Sequence, residues 1–322
     1  MYFDNTLCVR CGERIGFAAD TLTMQSVGEP WQACRNRQEF GVCTWLVRSR
    51  GPSHYCTACA LTSTIPDLSA TENHRRWARI EAAKRLLVYG CLALGIGVRP
   101  KHSPADIDGL EFHWLLPTAQ VAVMTSHLDG VITVNLAEAD DDYREATRVL
   151  LGEPTRTLLG HLRHELAHHL FQRHVPGSPH EGRFVELFGA SPPDYGLALQ
   201  AYHHNGPVAD WPLRYISAYA SAHPSEDWAE TCAHYLLIAD AVETADAWGL
   251  RLQNDGPPRA LTSGCDTRAI VFDGWLPVAR FLNVMARGLG LNDSYPYVIN
   301  DVVAQKLEFV AEVLRASQHR DR

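Results

Sequence analysis

The stretch GHLRHELAHHLFQRH, residues 160 to 174, places two histidines four residues apart with a glutamate directly after the first. Residues four apart lie on one face of an α-helix, so His164 and His168 can direct two imidazoles at one cation. Leu162, Leu166 and Leu170 fall on an arc largely opposite the two histidines. The stretch therefore predicts a core helix, over about 155–174, that presents part of a metal site.

Glu165 follows His164 about 100° further round the helix. A catalytic zinc has three protein ligands and keeps one position open for water. A carboxylate beside that position can take a proton from the water and pass it to a leaving amine. We therefore predict Glu165 as the general base. His161 lies one turn before His164, and three roles remain open for it: a further metal ligand, a hydrogen-bond donor to a ligand, or a polar side chain without a role in the site.

The third ligand must come from another segment, and HPSEDWAETCAHYLL, residues 223 to 237, offers one. Pro224 and Ser225 indicate a helix start, after which Glu226 and Glu230 share a face at i and i+4. We predict Glu226 as the ligand and Glu230 as the group that orients a ligand imidazole. The reversed roles, or a ligand from His223 or His234, remain open.

Amide hydrolysis also develops negative charge on the carbonyl oxygen, which requires a hydrogen-bond donor. Tyr219 and His223, just before the second helix in YISAYASAHPSED, are the predicted catalytic donors. Tyr215 and His234 are the next candidates.

Six of the nine cysteines fall within the first 59 residues. CVRC (8–11) and CTAC (56–59) are two CxxC patterns of the kind that direct two thiolates each at a tetrahedral zinc. Cys34 and Cys43 either replace one of these pairs, form a half-site or pack as small buried side chains. The sequence predicts a structural zinc bound by Cys8, Cys11, Cys56 and Cys59.

The composition narrows the class of protein. The formal net charge is −8, and residues 1–60 hold six Lys or Arg against five Asp or Glu, too even a balance for a basic patch, so no nucleic-acid partner is expected. The longest nearly apolar stretch, residues 86–98, is shorter than the roughly 20 residues of a membrane helix, and no membrane partner is expected. The N-terminus lacks the pattern of a secretory signal, and we expect a cytoplasmic protein.

The chain divides by pattern near STIPDLSA into a cysteine-rich module, 1–66, and a larger domain, 67–322. A helix is predicted from residue 71, followed by three strand-like segments that indicate a small antiparallel sheet. Helices dominate thereafter, and the prediction is a predominantly helical α+β fold. The predicted strands are 109–116, 119–127 and 130–137, and the predicted later helices are 139–151, 155–174, 181–189, 194–203, 213–222, 224–247, 275–289 and 300–317.

Several segments together carry a family resemblance: CVRCGERIGF, CTACALTSTIPDLS, GVITVNLAEADDDYREATRVLLGEPTRTLLGHLRHELAHHL, DYGLAL and ISAYASAHPSEDWAETCAHYLL. The chain resembles, to about residue 290, a bacterial family of zinc-binding metallopeptidases with an N-terminal zinc ribbon. SEDWAET is also similar to the second helix of gluzincin peptidases, with Glu226 and Glu230 in the matching positions. The resemblance implies a zincin-like domain after a zinc ribbon, and peptidase-type hydrolysis.

We therefore expect a zinc metallopeptidase with one catalytic and one structural zinc, acting on a peptide or related amide. The alternative is a noncatalytic zinc protein, an adaptor that docks a protein partner through its ribbon. Glu165 favours the enzyme, because a structural zinc needs no base beside an open position. A third possibility, regulation of transcription through the ribbon, would require a basic face that the sequence lacks.

Overall fold

The computed structural model describes residues 3–118, 122–192, 194–250, 252 and 266–318. By the packing of its backbone the chain forms two compact units, Met1–Leu162 and Arg163–Arg322. The α+β class predicted from the sequence is confirmed.

The first unit begins with a four-stranded sheet that the sequence patterns did not predict. Its strand order is β2-β1-β4-β3, in which β1 and β4 run parallel and the other pairs run antiparallel. Phe17 and Trp45 pack against each other across β1 and β4, with ring centroids 4.9 Å apart. The strands are β1 Ile15–Ala18, β2 Thr23–Ser26, β3 Trp31–Ala33 and β4 Trp45–Arg48, and a short helix, α1 Arg35–Glu39, follows β3.

A second four-stranded sheet in this unit is mixed, which corrects the predicted antiparallel sheet. Its order is β5-β6-β8-β7; β5, β6 and β8 run parallel, and only β7 and β8 pair antiparallel. The prediction failed because β8 lies between β6 and its own hairpin partner, so strands adjacent in the chain are not all adjacent in the sheet. The strands are β5 Thr62–Thr64, β6 Glu111–Leu115, β7 Ser126–Leu128 and β8 Val131–Asn135.

The predicted hairpin between the last two strands is present. Asp129 and Gly130 both have positive φ, 45° and 79°, as a tight two-residue turn between antiparallel strands requires. The preceding strand is shorter than expected, because residues 122–125 are irregular and 119–121 lie outside the described residues.

A long helix, α2 Thr71–Ala93, joins this sheet through buried polar groups. The Glu81 carboxylate is fully buried, accepts hydrogen bonds from Trp114 Nε1 at 2.9 Å and Thr62 Oγ1 at 2.8 Å, and forms an ion pair with Lys84. Arg85 on the same helix donates to the carbonyl of Val42 at 2.7 Å. The cysteine-rich segment and α2 therefore pack together within one unit.

The remaining helices follow the predicted pattern closely, with one exception. Residues 213–222 do not form one helix: a short helix ends at Arg214, and a separate 3₁₀ turn covers Tyr219–Ala222. The helices are α3 Asp141–Leu151, α4 Leu158–His174, α5 Glu181–Phe188, α6 Tyr195–Asn205, α7 Trp211–Arg214, α8 Pro224–Ala247, α9 Thr267–Ala269, α10 Leu276–Gly288 and α11 Asp301–Ser317, with a π-helical segment, Ile270–Trp275, between α9 and α10.

An aromatic core fixes α4 against α8 in the second unit. Trp228 of α8 is fully buried and donates its indole N–H to the carbonyl of Ala167 at 2.9 Å. Phe171 and Phe184 pack beside it, with ring centroids 5.8 and 6.3 Å from that of Trp228. Since α4 and α8 carry the two predicted parts of the metal site, this core sets the distance between them.

Only the continuous helix Thr267–Gly288, among the described residues, is long and apolar enough to cross a membrane by length and composition. Of its most apolar 18 residues, 44% are buried inside the structure.

Candidate metal centre

The structure brings His164 and His168 of α4 together with Glu226 of α8. The two imidazole Nε2 atoms are 3.1 Å apart. Glu226 Oε2 lies 3.1 Å from His164 Nε2, and Glu226 Oε1 lies 3.4 Å from His168 Nε2. Atoms bound to a tetrahedral zinc at 2.0–2.1 Å lie about 3.3 Å from one another. The three side chains thus have the spacing of a zinc ligand set.

Glu230, one turn after Glu226, contacts the outer side of His164. Its Oε1 accepts from His164 Nδ1 at 2.7 Å, and its Oε2 accepts from Ser217 Oγ at 2.7 Å. With the ring proton on Nδ1, the lone pair of His164 Nε2 faces His168 and Glu226. The i, i+4 spacing on α8 therefore brings Glu226 to the Nε2 side of His164 and Glu230 to the Nδ1 side of the same ring.

The charges and hydrogen bonds of the cluster fit a cation. Burial raises the pKa of the Glu226 carboxyl, but interactions with both imidazoles outweigh it and keep that pKa well below its usual range. Glu226 Oε2 is buried and receives no hydrogen bond within the described part of the chain. A divalent ion between these atoms would use this oxygen and the two Nε2 lone pairs.

Glu165 lies on α4 between the two histidines and is buried, with 5% of its surface exposed. Its negative charge is one of the factors that raise the pKa of the Tyr195 hydroxyl, after burial and Glu226. Helix α4 therefore holds a buried carboxylate that stands in the chain between the two imidazoles.

Tyr219 lies beside the ligands, with its ring centroid 6.0 Å from that of His164. Burial and the charge of Glu226 raise the pKa of its hydroxyl, which therefore stays protonated and able to donate.

His223 forms the N-cap of α8, and its Nδ1 accepts from the Ser225 backbone N–H at 3.0 Å. This contact assigns the ring proton to Nε2, a buried atom that has no hydrogen-bond partner among the described residues. Both predicted donors, Tyr219 and His223, thus have a hydrogen available near Glu226.

The two other candidates are engaged elsewhere. His234 Nδ1 contacts the Tyr295 hydroxyl at 2.9 Å, and burial lowers the pKa of His234 to about 4. The Tyr215 ring lies against the Lys306 ammonium, 4.5 Å from its Nζ.

Tyr195 was missed by the sequence analysis. Its hydroxyl donates to Glu226 Oε1 at 2.7 Å, and its ring lies 5.0 Å from that of His223. A single tyrosine about thirty residues before its partner has no spacing that could reveal the contact. Ser217, which donates to Glu230, was missed for the same reason.

Four buried cysteines converge in the first unit, and they differ from the predicted set. The ligand-forming atoms of the group lie within 4.8 Å of one another. The Sγ atoms of Cys43 and Cys56 are 3.7 Å apart, close to the roughly 3.8 Å expected for two thiolates bound to zinc at 2.3 Å. The group consists of Cys34, Cys43, Cys56 and Cys59.

The structure therefore does not bring the predicted Cys8 and Cys11 into this group. Cys34 directly follows β3 and Cys43 precedes β4, and the antiparallel pairing of Ala33 with Leu46 brings the two cysteines to one end of the sheet. Cys8 and Cys11 lie on a turn before β1, outside this group.

The cysteine group has the contacts of a thiolate site. Backbone N–H groups of Cys56 and Trp45 donate to the sulfurs of Cys34 and Cys43, at 3.3 and 3.4 Å. The bond with Cys43 lowers the pKa of the Cys34 thiol, while burial raises that of Cys56. A zinc ion would deprotonate coordinating thiols outright and favour the charged form of all four.

Two histidines and a glutamate from adjacent helices, together with a separate cysteine cluster, define the class as a metal-binding protein of the HExxH type with a zinc ribbon. Residues 73–313 match the family described as "Putative zinc-binding metallo-peptidase", and residues 1–70 match a zinc-ribbon domain. The chain belongs to this metallopeptidase family.

Relatives from two mycobacterial species support the family assignment. Proteins of Mycobacterium tuberculosis and Mycobacterium bovis, both titled uncharacterized, are each 38% identical over 315 residues, which is 97% of this chain and 91% of theirs. No solved structure matches the chain.

Proposed function

We propose that the protein is a zinc-dependent peptidase that hydrolyses peptide or related amide bonds, with His164, His168 and Glu226 as the zinc ligands. A zinc ion at this position would supply a Lewis acid that polarises the substrate carbonyl and makes water a stronger acid. The observation that carries the proposal is the burial of Glu165, a carboxylate that directly follows His164 on the helix that bears both histidine ligands. A zinc with a purely structural role would need no such base.

The protein side chains divide the work of the reaction. Glu165 takes the proton of the attacking water on a carboxylate oxygen and then delivers it to the leaving nitrogen. Tyr219 and His223 donate hydrogen bonds to the carbonyl oxygen as it becomes negative. Glu230 keeps the His164 ring in the tautomer that ligates.

The cysteine group, in this proposal, binds a second zinc with a structural role. Four thiols without disulfide partners also fit a reducing compartment, which favours the cytoplasm. The ribbon that they form is the surface that we propose for docking a protein partner.

Glu165→Gln tests the catalytic proposal. Zinc content should stay at the wild-type level, while cleavage of a peptide library, followed by mass spectrometry, should fall by about a hundredfold to ten-thousandfold. Glu186→Gln, the same change at an exposed position of α5, is the matched control and should cleave at the wild-type rate. Equal cleavage by Glu165→Gln would refute the mechanism, and no cleavage by any zinc-loaded form would favour the adaptor.

A further inference from the structure

Helix α6 supplies one side chain to the metal centre while it has little attachment of its own. None of its residues is buried, and Tyr195, at its first position, is 45% exposed. The Tyr195 hydroxyl nevertheless reaches Glu226, and Tyr202, two turns further on, lies with its ring 5.6 Å from that of Tyr219. The contacts of α6 with the site thus include the Tyr202 ring and the Tyr195 hydrogen bond.

The Tyr195 hydrogen bond selects between the two oxygens of Glu226. It engages Oε1, whereas Oε2 is the buried oxygen that lies 3.1 Å from His164 Nε2 and receives no hydrogen bond within the described ranges. The terminal torsion of a glutamate is broad, so the carboxylate can turn unless a partner restrains it. Tyr195 restrains it in the orientation in which Oε2 faces His164 Nε2 and Oε1 faces His168 Nε2, at 3.1 and 3.4 Å.

We propose that Tyr195 is a positioning residue for the metal ligand Glu226, and that through it the docking of α6 and the binding of the metal stabilise each other. The hydrogen bond is compatible with metal binding because it engages Oε1 and leaves Oε2, 3.1 Å from His164 Nε2, to face a metal ion. Glu230 of α8 orients His164 through a hydrogen bond, and Tyr195 of α6 orients Glu226 in the same way. The proposal rests on the metal centre of the proposed function and not on hydrolysis.

Coupling of this kind is reciprocal. The factor by which a docked α6 strengthens metal binding is the factor by which bound metal favours the docked α6. Outer partners of metal ligands typically contribute about tenfold to a hundredfold to metal affinity. Metal binding at the His/Glu centre would therefore hold α6 in its docked position. The mobility of this exposed helix would then depend on whether metal is bound.

The experiment compares wild type, Tyr195→Phe and, as matched control, Tyr202→Phe on the same helix. The cysteine group is first filled with zinc, and Co(II) is then titrated into the His/Glu centre and followed by its visible absorption. Tyr195→Phe should bind Co(II) about tenfold to a hundredfold more weakly, with altered d–d bands, while Tyr202→Phe should match wild type. Zinc retained at the cysteine group, with an unchanged melting temperature, shows that the variant is folded.

Hydrogen exchange of residues 195–205 provides the second measurement. Metal should slow exchange of this segment in wild type and in Tyr202→Phe, but much less in Tyr195→Phe. Unchanged Co(II) affinity and spectrum in Tyr195→Phe would overturn the proposal, as would protection of α6 that does not depend on metal. Absence of peptide cleavage by a wild type that shows the predicted metal effects would refute only the hydrolase, and a wild type that binds no Co(II) at the centre would refute both.

Discussion

Replacement of Glu230 by glutamine is the sharpest test of how α8 organises the metal centre. The side chain keeps its size and an acceptor oxygen but loses the negative charge that His164 Nδ1 now faces at 2.7 Å. The change leaves all three proposed ligands in place. We expect zinc to bind more weakly at the His/Glu centre and normally at the cysteine group.

The magnitude follows from the type of hydrogen bond. A bond to a charged group contributes about 1.5–3 kcal/mol and a neutral one about 1 kcal/mol, so the substitution removes about 0.5–2 kcal/mol. Because 1.4 kcal/mol corresponds to a factor of ten, zinc affinity should fall about twofold to thirtyfold. The Glu230 side chain is 20% exposed, which favours the lower half of that range.

Competition against a chromophoric zinc chelator measures the effect, with Asp240→Asn as the control. Asp240 pairs with Arg163, so it joins the same two helices by an ion pair that lies outside the ligand set. Asp240→Asn should lower the stability towards urea and leave the zinc affinity unchanged. If Glu230→Gln binds zinc as tightly as wild type, or if both variants weaken zinc equally, the assignment of Glu230 as an orienting group is refuted.

Cys34→Ser should lower the zinc content by about one equivalent per chain in elemental analysis. Cys8→Ser should keep that zinc, and the opposite pattern would restore the set predicted from the sequence. Lys306→Met should lower the free energy of unfolding in urea by about 3–5 kcal/mol, because it leaves the buried carboxylate of Asp227 without its cation; a loss near zero would contradict this. Glu138→Gln should destabilise at neutral pH, since interactions with neighbouring basic groups outweigh burial and lower the pKa of Glu138 from 4.5 to about 2. This difference from wild type should shrink as the pH falls through that interval in thermal melts, and a constant difference would refute it.

The helical parts of the centre could be predicted because each depends on residues close together in the chain. His164 and His168 share a face of α4 at i and i+4, and Glu226 and Glu230 share a face of α8 in the same way. The start of α8 could also be predicted, because a proline, Pro224, stands at its first position. What the spacing left open was which glutamate faces the imidazole Nε2 atoms, and the two distances from Glu226 answer that.

The cysteine set could not be predicted, because it depends on the pairing of strands that have no strong pattern of their own. Two CxxC segments look equivalent in sequence, yet the register between β3 and β4 brings two single cysteines to Cys56 and Cys59 and leaves the first CxxC outside. Tyr195 and Ser217 were missed for a related reason: each reaches its carboxylate from a neighbouring segment through one hydrogen bond. Ligands and an orienting group that share one rigid helix, such as Glu226 and Glu230, leave a spacing that the sequence shows. Tyr195 and Ser217 leave none, because they reach the site only through the way the fold places their segments beside α8.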